Sequence, residues 1–147
     1  MNLIDALLGE HGAFNALFDA IEKMAESGGE MAQIESATTI LAVELESHAT
    51  LEEELLFPVL EPHLASDDLI AELQAEHRAI QDGLERLQNA QDIREAVEAM
   101  DQTLVAIRGH FRREEEVLYP LARRVLDDET QSHLGEAWAA ARAVKIG

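Results

Sequence analysis

Residues 110–120 read HFRREEEVLYP, and residues 48–58 read HATLEEELLFP. Each stretch sets a histidine four residues before the first of three glutamates and closes on a proline. Two residues four apart on an α-helix lie about 40° apart around its axis and one turn apart along it. His48 and Glu52 therefore aim at one point, as do His110 and Glu114. The second glutamates, Glu53 and Glu115, swing about 140° away from their histidines, and Glu54 and Glu116 about 120° the other way. Only the first of each triplet is expected to face inward, the other two forming a solvated or flanking face.

Working outward, apolar periodicity divides the chain into four long helices and a shorter fifth. The first runs from Asn2, an N-cap, to Ser27, where Gly28-Gly29 stops it. The second runs from about Glu30 to Pro58 or Pro62. Ser66-Asp67-Asp68 opens the third, which fades near Asn89. The fourth starts around Asp92 and passes Tyr119, and Asp127-Asp128 starts the fifth. Short connections between four such helices predict an all-α fold, an antiparallel up-down-up-down four-helix bundle over about residues 1–125. A short accessory C-terminal helix over about 128–145 completes a single domain of 1–147. Trp138 with Leu134, Ala141 and Val144 is expected to form the seam of that last helix. Pro58 and Pro120 each remove a backbone bond and are expected to bend their helices, closing one end of the bundle.

The inward stripes read Ile4, Leu7, His11, Phe14, Phe18, Ile21 in the first helix and Leu41, Leu45, His48, Glu52, Leu55, Val59 in the second. The third offers Ile70, Leu73, His77, Ile80, Leu84, Leu87, and the fourth Met100, Thr103, Ile107, His110, Glu114, Val117, Leu121. Steps of three and four keep each set on one core-facing face. The chain also repeats itself, since Glu10-His11 matches Glu76-His77 as the two eleven-residue phrases match each other. It reads as a helical hairpin written twice. In an antiparallel hairpin, residues equidistant from the turn sit side by side. The midpoint of His11 and His48 falls at Gly29-Glu30, and that of His77 and His110 at Ile93-Arg94, both beside expected turns. Four histidines thus share one layer, with two glutamates a turn away.

A buried ionised carboxylate costs several kcal/mol, as an order of magnitude, unless it is paired or bound to metal. No lysine or arginine lies on those stripes. One or two dications would relieve the cost, each taking two histidine nitrogens while both carboxylates bridge between them. Imidazole with carboxylate suits iron, manganese or zinc, and bridged pairs open to further oxygen ligands are typical of iron. The expected cofactor is therefore two iron ions with a solvent-derived oxo or hydroxo bridge, zinc or manganese being substitutes, held by His11, His48, Glu52, His77, His110 and Glu114. His63 and His133 have no repeat partner and are expected in solvent. Glu10 and Glu76 point about 100° from the neighbouring histidines and read as surface acids, with outer support of the ligands as the other role. Tyr119 falls near the helix face opposite His110, which favours a packing role over a redox one.

Bulk composition limits the remaining choices. The 147 residues carry a formal net charge of −19, with 11 basic and 30 acidic side chains. A chain so acidic is unsuited to nucleic acid or to anionic membrane surfaces, whose binding relies on clustered lysine and arginine. With no cysteine, disulfides, thiolate metal sites and thiol nucleophiles are excluded. No apolar run approaches the roughly 20 residues that span a bilayer, and the start MNLIDALLGEHG lacks the basic opening of a signal peptide, so a cytoplasmic location is expected. HExxH, phosphate-binding glycine loops and nucleophile elbows are missing.

Taken together, Glu10-His11, HATLEEELLFP, Glu76-His77 and HFRREEEVLYP resemble the hemerythrin-like, HHE cation-binding family over roughly residues 1–125. The resemblance implies a four-helix bundle holding a non-haem di-iron centre that meets dioxygen or a related small ligand. It makes His11, His48, His77 and His110 terminal ligands, and Glu52 and Glu114 bridging carboxylates. Marine oxygen carriers of that family have a fifth histidine one turn from the third-helix ligand, and an aspartate in the last motif. Here Leu73 and Gln81 flank His77, and the last motif uses Glu114. A more symmetric site with both metals open is then expected, one that suits nitric oxide or peroxide as well as dioxygen. The leading reading is a di-iron protein binding such a small ligand as monomer or homodimer, with no protein partner indicated. Its rivals are a di-iron enzyme consuming peroxide or oxidising iron, an iron or oxygen sensor, and a mononuclear zinc site of four histidines. The Glu-x-x-His pattern of ferritin-type oxidases is missing.

Overall fold

The computed structural model describes residues 1–65 and 68–144, and among them the chain is helical with no strand. Five helical rods form a bundle. The first is α1 (Leu3–Glu26). The second joins α2 (Met31–Leu51), a π-helical turn (Glu52–Leu56) and α3 (Phe57–Leu64). The third is α4 (Leu69–Gln88), and the fourth joins α5 (Ile93–Arg113), a second π-helical turn (Glu114–Leu118) and α6 (Tyr119–Val125). The fifth is α7 (Asp128–Ala141). Among the described residues no helix is long and apolar enough to cross a membrane.

Local chemistry sets the ends of the rods. Asn2, Asp92 and Asp127 cap α1, α5 and α7, their side-chain oxygens accepting from the backbone N–H groups of Asp5, Glu95 and Thr130 at 2.9, 2.8 and 2.7 Å. Gly28 takes the left-handed conformation (φ 76°) that turns the chain after α1. Asp68 precedes α4, whereas Ser66 and Asp67 lie outside the described residues. Lys145, in the expected last helix, lies outside them too, and α7 stops at Ala141.

Contacts between rods keep a fixed order. Glu72 pairs with Arg113, Glu76 with Arg113 and His110, and Gly83 abuts Thr103, so close that a Cβ there would fall 2.6 Å from the threonine hydroxyl. Numbers fall along α5 as they rise along α4. Asp5 with Arg123, His11 with Glu114, and Asp19 with Arg108 follow the same rule.

Two apolar layers form the core. One is built from Phe14, Phe18, Ile21, Leu41, Ile80, Leu84, Ile107 and Phe111 with their neighbours. The other contains Leu3, Ile4, Leu7, Leu56, Phe57, Leu60, Leu73, Leu118 and Tyr119. Between them lie the buried polar side chains His11, His48, Glu52, His110 and Glu114.

Pro58 and Pro120 each follow a widened turn. The N–H of Phe57 bonds to the carbonyl of Glu52, and that of Tyr119 to the carbonyl of Glu114, both five residues back. A widened turn just before proline relieves the clash of its ring with the carbonyl four residues earlier. One residue is absorbed without advancing the helical phase. The inward stripes therefore slip by one after each first glutamate. Leu55 and Val59 are half-buried while Leu56 and Leu60 fill the core, and Val117 is 47% exposed while Leu118 and Ala122 are buried. The expected stripes hold up to Glu52 and Glu114 and fail beyond them, because the 3.6-residue period does not continue there.

The seam of α7 also departs from expectation. Gln131, Gly135 and Ala139 are its buried residues, Leu134 and Trp138 are half-buried, and Ala141 and Val144 are exposed.

Candidate metal centre

The six residues singled out by the repeated motifs meet in the layer between the two apolar clusters. Glu52 Oε1 lies 3.3 Å from His48 Nε2 and 3.4 Å from His77 Nε2. Glu114 Oε1 lies 3.3 Å from His11 Nε2 and 3.4 Å from His110 Nε2. Each carboxylate thus faces the histidine of its own helix and one from the other hairpin. The rings pair across this arrangement, His11 with His48 at 4.9 Å between centroids and His77 with His110 at 4.6 Å.

Two overlapping groups of donors result. One comprises Glu52, His77, His110 and Glu114; the other comprises His11, His48 and Glu114; within each, the donor atoms lie within 4.8 Å of one another. Metal–nitrogen bonds of about 2.0–2.1 Å put neighbouring donors on one ion about 3 Å apart. A cation fits the donors present on a further ground. Glu52 Oε1, both carboxylate oxygens of Glu114, and the Nε2 atoms of His77 and His110 are buried with no hydrogen-bond partner. Buried polar atoms are almost always satisfied, so five convergent orphans mark a place for a cation.

Behind the rings, each Nδ1 faces a carboxylate. His48 Nδ1–H donates to Glu10 Oε1 at 2.9 Å, and His110 Nδ1–H to Glu76 Oε1 at 3.1 Å. His77 Nδ1–H donates to Glu53 Oε1 at 3.1 Å, and His11 Nδ1 stands 3.5 Å from Glu115 Oε1. For His48, His77 and His110 such partners fix the tautomer and turn Nε2 toward the centre, whereas His11 Nδ1 has no hydrogen-bond partner. Glu53 turns from its own histidine and bonds one on another rod, while Glu115 only flanks His11, so the expected flanking face gains a supporting role at Glu53. Glu10 and Glu76 take the outer supporting role rather than that of surface acids. Glu54 and Glu116 are exposed, and so are His63 and His133.

Glu10 is itself held by α7. Trp138 Nε1–H donates to its Oε2 at 3.3 Å, and Arg142 Nε–H at 3.0 Å, while the Arg142 guanidinium also binds Ser47. Glu76 is held by Arg113 at 2.9 Å. Burial opposes the charge on Glu10, but the hydrogen bonds from His48 and Arg142 outweigh it and pull its pKa down to about 2.

Tyr119 is the residue that periodicity misplaced. Nine residues of α-helix would set it about 180° from His110, but the π turn absorbs one residue and reduces the angle to about 80°. Its hydroxyl donates to Glu52 Oε2 at 2.9 Å, and its oxygen lies 3.1 Å from His11 Nε2. A proline directly after an aromatic residue was the available signal, since it marks where helical phase is lost. In the other half of the repeat, Phe57 stacks over His77 at 5.9 Å.

Without cations the centre holds its protons unevenly. Burial works against the charge on His48, yet Glu52 and Glu10 outweigh it and raise its pKa to about 9. Burial and the His48 charge lower His11 to about 3. Glu52 is held well below the usual carboxylate range, since His48 overcomes the cost of burial. Burial and the charge of Glu52 push Glu114 well above that range. Two carboxylates in one dry site do not both ionise without help.

Comparison with known protein families gives a match over most of the chain. The family described as Hemerythrin HHE cation binding domain matches residues 2–122 and, in an overlapping second alignment, residues 68–145. The second alignment begins where the repeat of the hairpin begins. No curated protein and no solved structure matches the chain.

Proposed function

Given that the chain belongs to the hemerythrin HHE cation-binding family, we propose that it is a non-haem di-iron protein that binds dioxygen, nitric oxide or peroxide in the core of its bundle. The observation that carries this reading is the set of orphaned donor atoms converging between the two apolar layers. His77 and His110 would hold one metal, His11 and His48 the other, and Glu52 and Glu114 would bridge them. Iron suits this imidazole–carboxylate set, with zinc and manganese as substitutes. Bound there, a pair of irons supplies reversible redox change and affinity for small diatomic or peroxide ligands.

The chain's own contribution is positional. Glu10, Glu53 and Glu76 hold the imidazoles of His48, His77 and His110 through Nδ1, so that their Nε2 atoms point inward. The apolar layers above and below keep bulk water from the carboxylates. Tyr119 holds a hydroxyl hydrogen on Glu52 Oε2. The scaffold for this arrangement is an antiparallel up-down-up-down bundle folded as one domain, a reading supported by partner numbers that fall along one rod as they rise along the next.

A second reading, turnover of peroxide, is favoured by Tyr119. Its hydroxyl is a buried hydrogen-bond donor beside the inner carboxylate that could orient a peroxide, while burial and the charge of Glu52 raise its pKa and keep the proton on it. One experiment separates the readings. The protein is produced with iron, its metal content per chain is counted, and absorption is followed as the reduced form meets dioxygen, nitric oxide or peroxide. Two irons with a reversible ligand-dependent band support binding, and repeated loss of peroxide supports turnover. One colourless zinc per chain overturns both.

A further inference from the structure

The hairpin repeat equates α1 with α4 and α2 with α5, so the two seams flanking the centre can be compared position by position. At the α1–α5 seam, Phe14, Phe18 and Phe111 fill the space, their rings 5.8–6.3 Å apart. Phe111 lies flat on His11, with centroids 3.8 Å apart and planes 7° apart. Arg108 clamps the outside, pairing with Asp19 and Glu22 while its guanidinium lies 5.8 Å from the Phe18 ring.

At the α2–α4 seam the same register places Ile80, Leu84 and Ala49 where the other side has Phe14, Phe18 and Phe111. Glu46 stands in the place of Arg108, opposite Glu85 in the place of Asp19. Three rings are replaced by smaller groups, and a cation is replaced by an acid that cannot clamp an acid. The outcome is a groove of about 580 Å³ whose floor reaches His48, His77 and His110. His77 is the most accessible of the four histidines, at 9% against 1% for His11. The centre is symmetric in its donors and asymmetric in its covering.

We propose that the α2–α4 groove is the route by which an uncharged small ligand reaches the metal pair, that the ligand arrives on the His77–His110 half, and that Ala49 keeps this route open. The proposal rests on the small-ligand reading above. Leu45, Ile80 and Leu84 make the walls apolar, and Glu46, Glu53 and Glu85 outnumber Arg78 among the lining residues. Such a passage favours dioxygen, nitric oxide or hydrogen peroxide over anions. On the other half the groove reaches His48 alone, for His11 is covered by Phe111 and has the Tyr119 hydroxyl beside its Nε2.

Two measurements test the route. Crystals of the metal-free full-length chain under xenon pressure should show xenon in the groove beside Ala49, and Ala49→Phe should remove it. Xenon found at the α1–α5 seam instead overturns the route without reference to any metal. In the diferrous protein, nitric oxide association followed by stopped-flow absorption should slow at least tenfold in Ala49→Phe while two irons per chain are retained. Ala49→Leu, a smaller intrusion, should give an intermediate rate. Unchanged rates in both variants at full iron content overturn the route. Failure of the two-iron wild-type protein to bind nitric oxide at all, with xenon still in the groove, overturns the small-ligand reading instead.

Discussion

Tyr119 donates its hydroxyl hydrogen to Glu52 Oε2 at 2.9 Å, joining a side chain of α6 to the first residue of the π turn on the opposite hairpin. Both groups are fully buried. A hydrogen bond to a charged partner contributes about 1.5–3 kcal/mol. Tyr119→Phe should therefore lower the stability of the metal-free protein by about that amount, read from urea denaturation. Metal content per chain should be unchanged, and loss of metal in this variant would place Tyr119 among the ligands.

Loading with metal should release protons. In the metal-free fold His48 is protonated up to about pH 9. Its folded value stands above its ordinary 6.5. Its contribution to stability is therefore complete below pH 6.5 and is lost as pH rises through 9. Metal competes for the same nitrogen, so affinity should climb with pH toward 9, about tenfold per unit for each proton displaced. Calorimetry in buffers of different ionisation enthalpy counts those protons, and a count of zero at pH 7 refutes the assignment.

Glu114 supplies a complementary test. Its folded pKa is raised by burial and by the charge of Glu52, above an ordinary value of 4.5. The metal-free fold must then bind a proton that the unfolded chain gives up, and stability falls as pH rises from 4.5. Glu114→Gln lacks that slope. It should equal or exceed the wild type in the metal-free state at pH 7, while losing metal. Denaturation curves at several pH values check the first point and elemental analysis the second.

The glutamate triplets can be dissected singly. Glu53→Ala removes the carboxylate bonded to His77 Nδ1 and should weaken metal binding by about 10- to 100-fold in chelator competition, whereas Glu115→Ala, which loses only a 3.5 Å contact with His11, should weaken it less. Glu54→Ala and Glu116→Ala, whose side chains face solvent, should leave affinity unchanged.

These residues also show what periodicity can and cannot reveal. The inner donors were legible because His48 with Glu52, and His110 with Glu114, lie within straight α-helix up to the first glutamate, where four residues make one turn. Capping oxygens at Asn2, Asp92 and Asp127 were legible for a similar reason, since a cap is a local event. Tyr119 was hidden because the angle from His110 assumed an unbroken α-helix, and the wide turn before Pro120 changes that angle. Glu53 and Glu115 were hidden differently. Their angles were measured from histidines on their own helices, whereas their partners lie on other rods. The unequal covering of the two halves lies in Ala49 against Phe111, a difference between the repeats rather than a residue they share.

The supports of His48 run from Glu10, near the beginning of α1, to Arg142, just past the end of α7. During synthesis, the carboxylate at residue 10 and the imidazole at residue 48 leave the ribosome long before the guanidinium at residue 142 that steadies them. Any ion captured by a half-made chain would meet an unanchored cradle and exchange freely. If metal is bound as proposed, tight capture should follow the arrival of the last helix, whose Arg142 completes the support of His48.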